Sequence, residues 1–322
     1  MKSPVFIFSL PRSGSTLLQR VLMSHKLIAS VAEPWLLLPL VYATKKEGVL
    51  AEYSHGTAAN AVEDFISNLP NQKEDFSLAL NEFVRHLYAK QCKNDEVYFL
   101  DKTPRYYLII PEIVEIFPDA KFIFLFRNPL HALSSMISTW SNGNLRNLYA
   151  FQQDIILGSK LLSEGYAQYS DRSLAINYED FVMKPEVYGK KVCEYLELDF
   201  DPAILASFNA QQTKGRMGDP SGVKEYASID TRPLNKWEKS LNTPLKKRAF
   251  KKLICSIEDG VLDIQGYRKS DILADIDRCK TSELGYIKDL GDWFFSIFVQ
   301  YTKANLFLGR RRGKWFRKRL MS

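Results

Sequence analysis

Residues 4–20, PVFIFSLPRSGSTLLQR, decide the fold. Val5 to Leu10 is an unbroken apolar run, the pattern of a short strand buried on both faces. It breaks at Pro11 into Arg12-Ser13-Gly14-Ser15-Thr16, after which Leu17, Leu18, Val21 and Leu22 recur at helical spacing. A strand, a tight loop and a helix in that order aim backbone N–H groups and the positive end of a helix at one point, where an anion binds. Gly14 lets the backbone approach closely, Ser15 and Thr16 bring hydroxyl donors, and Arg12 brings a planar, forked cation. The expectation is a loop that holds a phosphate or a sulfate. An ordinary turn with a surface arginine is the plain alternative. The loop is not a Walker A sequence, because it lacks the Gly-Lys-Ser/Thr ending.

A second stretch, KFIFLFRNPLHALSSMIS at 121–138, repeats the theme. Phe122 to Phe126 reads as a buried strand, Arg127 stands at its end, and Asn128-Pro129 has the form of a helix N-cap and first position. Ser135 follows Arg127 by eight residues, about two helical turns, so it falls on the same side of the helix as Arg127. The pair is suited to a second anion. Both anion sites fall at the carboxyl ends of strands, where open parallel sheets bind ligands.

These residues carry a family resemblance. PRSGSTLL resembles the 5′-phosphosulfate loop of the sulfotransferases that use 3′-phosphoadenosine 5′-phosphosulfate (PAPS), and Arg127 with Ser135 resembles their 3′-phosphate clamp. LAINYEDFVMKP at 174–185 resembles a strand and loop that often carries an adenine-contacting tyrosine, here Tyr178. PLNKWE at 233–238 resembles a late Lys-Trp element near the nucleotide, which gives Lys236 a place in the donor site. The likeness runs from about residue 4 to about residue 240 in the family's order. On it the chain is identified as a PAPS-dependent sulfotransferase. The implied fold is α/β, a P-loop-NTPase-like three-layer αβα arrangement with a central parallel sheet, in agreement with the recurring strand–helix alternation.

The resemblance also implies catalytic roles. Cytosolic small-molecule sulfotransferases place a histidine base after a Lys-Thr pair; here Lys102-Thr103 is followed by Pro104, which takes no proton. Tyrosylprotein and heparan-type sulfotransferases resemble this chain in carrying a glutamate after the phosphosulfate loop, which makes Glu33 the expected base. Flanking Val31 and Trp35 would partly desolvate it. Lys102 matches the lysine that contacts the leaving-group oxygen, and Arg12 with residues 13–16 would hold the 5′-phosphate and neutralise charge as the S–O bond breaks. A surface glutamate and a turn lysine are the plain readings of these two positions. His25 reads as a structural residue at a helix end, and His131 as a neighbour of the donor. A transferred sulfonate carries less charge than a phosphoryl group, so no metal is expected.

The 322 residues suffice for one large α/β domain with an appendage: a sulfotransferase domain over 1–280, with a helical insertion at about 43–95, and a C-terminal amphipathic helix and basic tail over 281–322. The net charge of +7 has its counterpart in residues 310–322, RRRGKWFRKRLMS, which hold seven Lys/Arg and no acid. With the aromatic segment from Trp293 onward, this tail is suited to an anionic membrane surface; a helix docked on the core with a solvated tail is the alternative. No second basic stripe suggests nucleic acid as a partner. The four scattered cysteines and the short N-terminal apolar run lead to an expected cytoplasmic enzyme, peripheral at the inner face of the membrane. The acceptor is expected to be a small molecule, carbohydrate, lipid or peptide. The long 209–235 loop is expected to act as a lid. Two rivals stay open: a P-loop-type kinase with Asp101 as a Walker B aspartate, and a catalytically inactive protein that binds PAPS or a membrane.

Overall fold

Five strands form one parallel sheet in a computed structural model that describes residues 2–211, 215, 228–282 and 284–304. They are β1 (Ser3–Ser9), β2 (Ile28–Ser30), β3 (Tyr98–Asp101), β4 (Lys121–Phe126) and β5 (Ser173–Asn177), in the spatial order β2-β3-β1-β4-β5. Every neighbouring pair is parallel, with Phe6 opposite Asp101 on one side and Phe122 on the other. From β1 the chain steps outward to β2, returns to β3, and crosses to the far side through β4 and β5. The winding therefore reverses between β1 and β4, and a ligand crevice opens above their carboxyl ends.

All seven residues of β1 are buried, as its sequence requires of a strand covered on both faces. Alternation sends its side chains into two different cores. Phe6 and Phe8 join Phe99, Phe122 and Phe124 on an aromatic face, where the rings of Phe6 and Phe122 stack at 6.1 Å and those of Phe8 and Phe122 at 5.9 Å. Val5 and Ile7 join Leu100, Ile123, Leu125 and Ile176 on an aliphatic face. Helix α1 (Ser15–Leu22) covers the aliphatic side with Leu17, Leu18, Val21 and Leu22.

Helix α2 (Leu37–Tyr42) precedes the insertion, whose two helices are α3 (His55–Ser67) and α4 (Lys73–Ala89). Tyr88 of α4 stacks on Phe99 of β3 at 4.2 Å. Helices α5 (Ile110–Ile116) and α6 (Pro129–Trp140) lie on the aromatic side and lead into and out of β4. Asn128 caps α6 as its sequence predicts, its side chain accepting from Leu130 N at 3.0 Å, with Pro129 at the first position. The sequence reads residues 1–42 as a strand, a phosphate loop, a helix and a further apolar segment; the short edge strand β2 lies in that last segment, too brief to leave an alternating pattern.

The expected C-terminal helix spans Tyr286–Thr302. It docks through one side: Thr243 donates to buried Asp289 at 2.6 Å, Tyr149 N donates to Ser296 Oγ at 2.8 Å, and Leu290 and Trp293 pack on the aromatic core. Among the described residues no helix is long and apolar enough to cross a membrane. The basic tail 310–322 and most of the 209–235 loop lie outside the described residues.

Candidate active site

The loop after β1 turns by two left-handed residues, Arg12 at φ 64° and Gly14 at φ 84°. Such a conformation strains arginine by roughly 1 kcal/mol and costs glycine nothing. Gly14 is required twice over, because a Cβ there would sit 2.2 Å from the Tyr178 ring. Tyr178, the first residue after β5, is fully buried and floors the loop, and the Arg127 guanidinium lies over the same ring at 4.4 Å. Arg127 Nη1 donates to the Arg12 carbonyl at 2.8 Å, and Arg12 Nε donates to Ser135 Oγ at 3.2 Å. The two arginines and Ser135, 123 residues from Arg12, thus form one cluster across the β1/β4 crevice. Arg12 rather than Arg127 takes up Ser135.

Two buried donors in this cluster have no hydrogen-bond partner among the described residues: Arg127 Nε and Ser13 Oγ. An unpaired buried donor is costly, and an anion is the partner that would satisfy both. Lys236 stands at the rim of the same cleft, which Arg12, Gly14, Arg127, His131, Ser135 and Trp237 also line. A hydrogen bond between Ser134 and Ser240, 2.6 Å long, ties the turn carrying Lys236 and Trp237 to α6. Trp237 stacks on His131 at 5.5 Å.

His131 is itself held by Glu179, with Nδ1 3.1 Å from Oε1, and Tyr267 donates to the other carboxylate oxygen at 2.7 Å. Burial raises the Glu179 pKa, but the hydrogen bonds from His131 and Tyr267 and the charge of Arg127 outweigh it and hold the carboxyl below its usual range. Glu179 also accepts from Asn128 N at 3.1 Å, so it fixes the start of α6 and the arginine before it. Sequence reading passes over Glu179, although it stands next to Tyr178 in the quoted motif.

The other half of the site lies on the β2/β3 side. Lys102, one residue beyond β3 and 1% exposed, donates to Glu33 Oε1 at 2.7 Å and to Thr16 Oγ1 at 3.2 Å. Glu33, 12% exposed, accepts a second hydrogen bond from Trp35 Nε1 at 3.1 Å. One lysine therefore bridges the phosphate-type loop and the expected base. Gln19 of α1 secures the approach to Glu33, donating to Ser30 Oγ at 2.8 Å and Val31 O at 2.7 Å. Ser15 and Thr16 are buried in the first turn of α1.

Asp101 does not serve as a Walker B aspartate. It is fully buried, Tyr88 and Tyr106 donate to its Oδ2 at 2.5 and 3.0 Å, and Thr103 donates to Oδ1 at 3.1 Å. Burial pushes its pKa up to about 6, against the lowering pull of the Tyr88, Tyr106 and Thr103 hydrogen bonds and the Lys102 charge. It is a strut from the insertion to the segment carrying Lys102. His25 is structural as expected: Nε2 lies 3.1 Å from Asp199 O, and Nδ1 accepts from Leu27 N at 3.2 Å.

Comparison with known proteins bears on the family and the fold. Residues 4–202 match the family model described as the sulfotransferase family. The nodulation protein NoeE of Sinorhizobium fredii is 24% identical over 265 residues, 73% of this chain and 60% of that protein. The protein-tyrosine sulfotransferase of Drosophila melanogaster is 23% identical over 246 residues, 75% of this chain and 44% of that protein. The chain thus spans roughly half the length of these relatives. The sulfotransferase domain from the curacin biosynthetic pathway shares the fold at a TM-score of 0.54 and 22% identity, over 80% of this chain and 99% of that domain. The sulfotransferase domain of the Synechococcus PCC 7002 olefin synthase superposes with a TM-score of 0.50 at 25% identity, over 79% of this chain and 94% of that one.

Proposed function

Because the chain belongs to the sulfotransferase family, we propose that it moves a sulfonate group from PAPS to an acceptor hydroxyl, with 3′-phosphoadenosine 5′-phosphate (PAP) as the second product. The observation that carries this reading is the pair of unspent buried donors, Arg127 Nε and Ser13 Oγ, set beside the β1 loop. They fit a bisphosphorylated nucleotide that places one anion on the loop and another against Arg127. In this reading Arg12, Ser13, Gly14, Ser15 and Thr16 hold the 5′-phosphosulfate. Arg127, Ser135 and Lys236 hold the 3′-phosphate, and Tyr178 supports both through Gly14 and Arg127.

Glu33 takes the proton from the acceptor hydroxyl as its oxygen bonds to sulfur. The bond from sulfur to the phosphate oxygen breaks on the opposite side, and its electron pair leaves with PAP. In this reading Lys102, already shared between Glu33 and Thr16, turns to the bridging oxygen as negative charge grows there. Arg12 shares that task. With Glu33 as the carboxylate base beside Lys102, position 104, a proline, has no proton to take. No step in this scheme calls for a metal ion.

The acceptor in this reading is a hydroxyl on a carbohydrate, lipid or peptide. The name of the fly relative favours a peptide for that protein, and the exposed aromatic residues at the C-terminus of this chain favour a lipid. The compartment is the cytoplasm, with peripheral attachment to an anionic membrane. Calorimetric titration of the protein with PAP and, separately, ATP, both in EDTA, tests the donor site. Binding of PAP without ATP is the expected result. ATP binding restored by magnesium would overturn the reading in favour of a kinase.

A further inference from the structure

The helix Tyr286–Thr302 docks along one side and carries an apolar stripe on the other. At 100° per residue, Asp289, Ser296 and Val299, its buried positions, fall on one side of the helix. Ile287, Phe294, Phe298 and Tyr301 fall within about 60° of each other on the other side. These four are 85%, 60%, 58% and 84% exposed. Leu284, just before the helix, is exposed as well. A contiguous stripe of this kind on a helix anchored from behind marks a contact surface.

Charge decides which contact. Arg146 lies over the Phe295 ring at 4.2 Å, at the edge of the stripe, and Lys288 and Lys303 are exposed on the same helix or at its end. The sequence then continues within eight residues to RRRGKWFRKRLMS, with seven Lys/Arg and no acid. Aromatic side chains followed in the sequence by a dense run of cations suit the boundary of an anionic bilayer, where rings enter the headgroup zone and cations meet lipid phosphates. Nucleic acid would use the cations and leave Ile287 and Phe298 in water.

We propose that the Ile287–Phe294–Phe298–Tyr301 face is the membrane-contact surface of the protein, and that it works together with the basic tail on bilayers rich in anionic lipid. This deepens the peripheral attachment proposed above and is independent of PAPS chemistry. The helix stays docked on the core through Asp289 and Ser296 while its outer face meets lipid, so the catalytic domain lies against the membrane without any part of it needing to unfold.

Sedimentation of the full chain with phosphatidylcholine vesicles, with and without about one-third phosphatidylglycerol, tests this. The wild type is expected to bind only the anionic vesicles. The double variant Phe294→Ser/Phe298→Ser is expected to lose about tenfold in partitioning, and replacing the seven tail Lys/Arg by Gln about tenfold or more. Circular dichroism spectra and melting temperatures like those of the wild type establish that both variants are folded. Vesicle binding that ignores the Phe294/Phe298 substitution would reduce the surface to a polyanion-binding tail and overturn the proposal. So would a dimer, seen by sedimentation equilibrium, that the same substitution dissolves, because the stripe would then face a second copy. PAP titration plays no part in these outcomes, so failure here and failure of the sulfotransfer reading are separable.

Discussion

The two halves of the site are built on opposite plans. On the β1/β4 side, cations and hydroxyls gather with donors left over: Arg127 Nε and Ser13 Oγ are buried without a partner among the described residues. On the β2/β3 side almost every polar group is spent inside the protein. Tyr88 and Tyr106 bond Asp101, Thr103 joins Asp101 to the Trp35 backbone, Trp35 holds Glu33, and Glu33 holds Lys102. The first half keeps buried donors to spare, whereas the second is assembled from within the protein. The difference suits the proposed reaction, in which the donor would arrive with its own charges and Glu33 would already be aimed.

The sharpest way to break this comparison is to remove the proposed base, Glu33, and leave its surroundings. Glu33→Gln keeps an acceptor for Lys102 and a partner for Trp35 but takes no proton. Turnover with PAPS and a panel of hydroxyl acceptors is expected to fall on the order of 10²–10⁴-fold. PAP affinity by calorimetry should stay within about twofold, since Glu33 belongs to the other half. Equal losses in binding and turnover would mean that the two halves are one.

Arg127→Ala reverses the test. It removes the cation over Tyr178 and the bond to the Arg12 carbonyl, together with the unspent Nε. PAP binding is expected to weaken by about 2–4 kcal/mol, roughly 30- to 1,000-fold in Kd. Unchanged affinity would take the second anion away from this arginine.

Asp101 tests the closed half through stability. Its pKa is about 6 in the folded chain, above the ordinary aspartate value of 3.8. Between those two values the folded state holds a proton that the unfolded state has released. This group's contribution therefore favours folding at low pH and declines as pH rises through the window, then levels off above about pH 6. Two units correspond to about 3 kcal/mol at most. Asp101→Asn cannot titrate, so the stability of the wild type relative to that variant should fall by up to that amount from pH 4 to pH 7, measured by urea unfolding. A difference independent of pH would remove the strut from its buried, hydroxyl-bonded setting.

The open half was legible in the sequence because it is local. PRSGSTLL and FRNPLHALSS each carry strand end, turn and helix start within a dozen residues, so spacing reports each local element, though it pairs Ser135 with Arg127 where the structure pairs it with Arg12. The pairing of Arg12 with Ser135 was not legible: it depends on β1 and β4 being neighbours, which no spacing within either motif encodes. The closed half was legible at its ends only. Lys102 and Glu33 are identified by resemblance, but the chain of Tyr88, Asp101, Thr103 and Trp35 joins four separate elements through side chains that each look like ordinary core or loop residues. Asp101 even invites a Walker B reading, because a strand ending in aspartate looks the same whether its carboxylate faces a ligand or two buried tyrosines. The C-terminal helix shows a similar limit. Its aromatic content is plain in the sequence, yet which aromatics dock and which stay exposed depends on the core it meets.

Trp35 offers the finest probe of the closed half. Its backbone sits at φ 54°, a left-handed conformation unusual for a bulky side chain, held by Trp35 N donating to Thr103 Oγ1 at 3.3 Å. That geometry turns the indole so that Nε1 reaches the Glu33 oxygen that Lys102 does not use. Trp35→Phe keeps a ring and loses one donor to a partly exposed carboxylate, worth about 1 kcal/mol. Turnover is expected to fall about fivefold with PAP affinity and the KM for PAPS unmoved. A residue that only fills space would change stability and leave turnover alone, whereas a residue that aims the base would change kcat without touching the donor half. A loss confined to melting temperature would therefore leave Glu33 positioned by Lys102 alone.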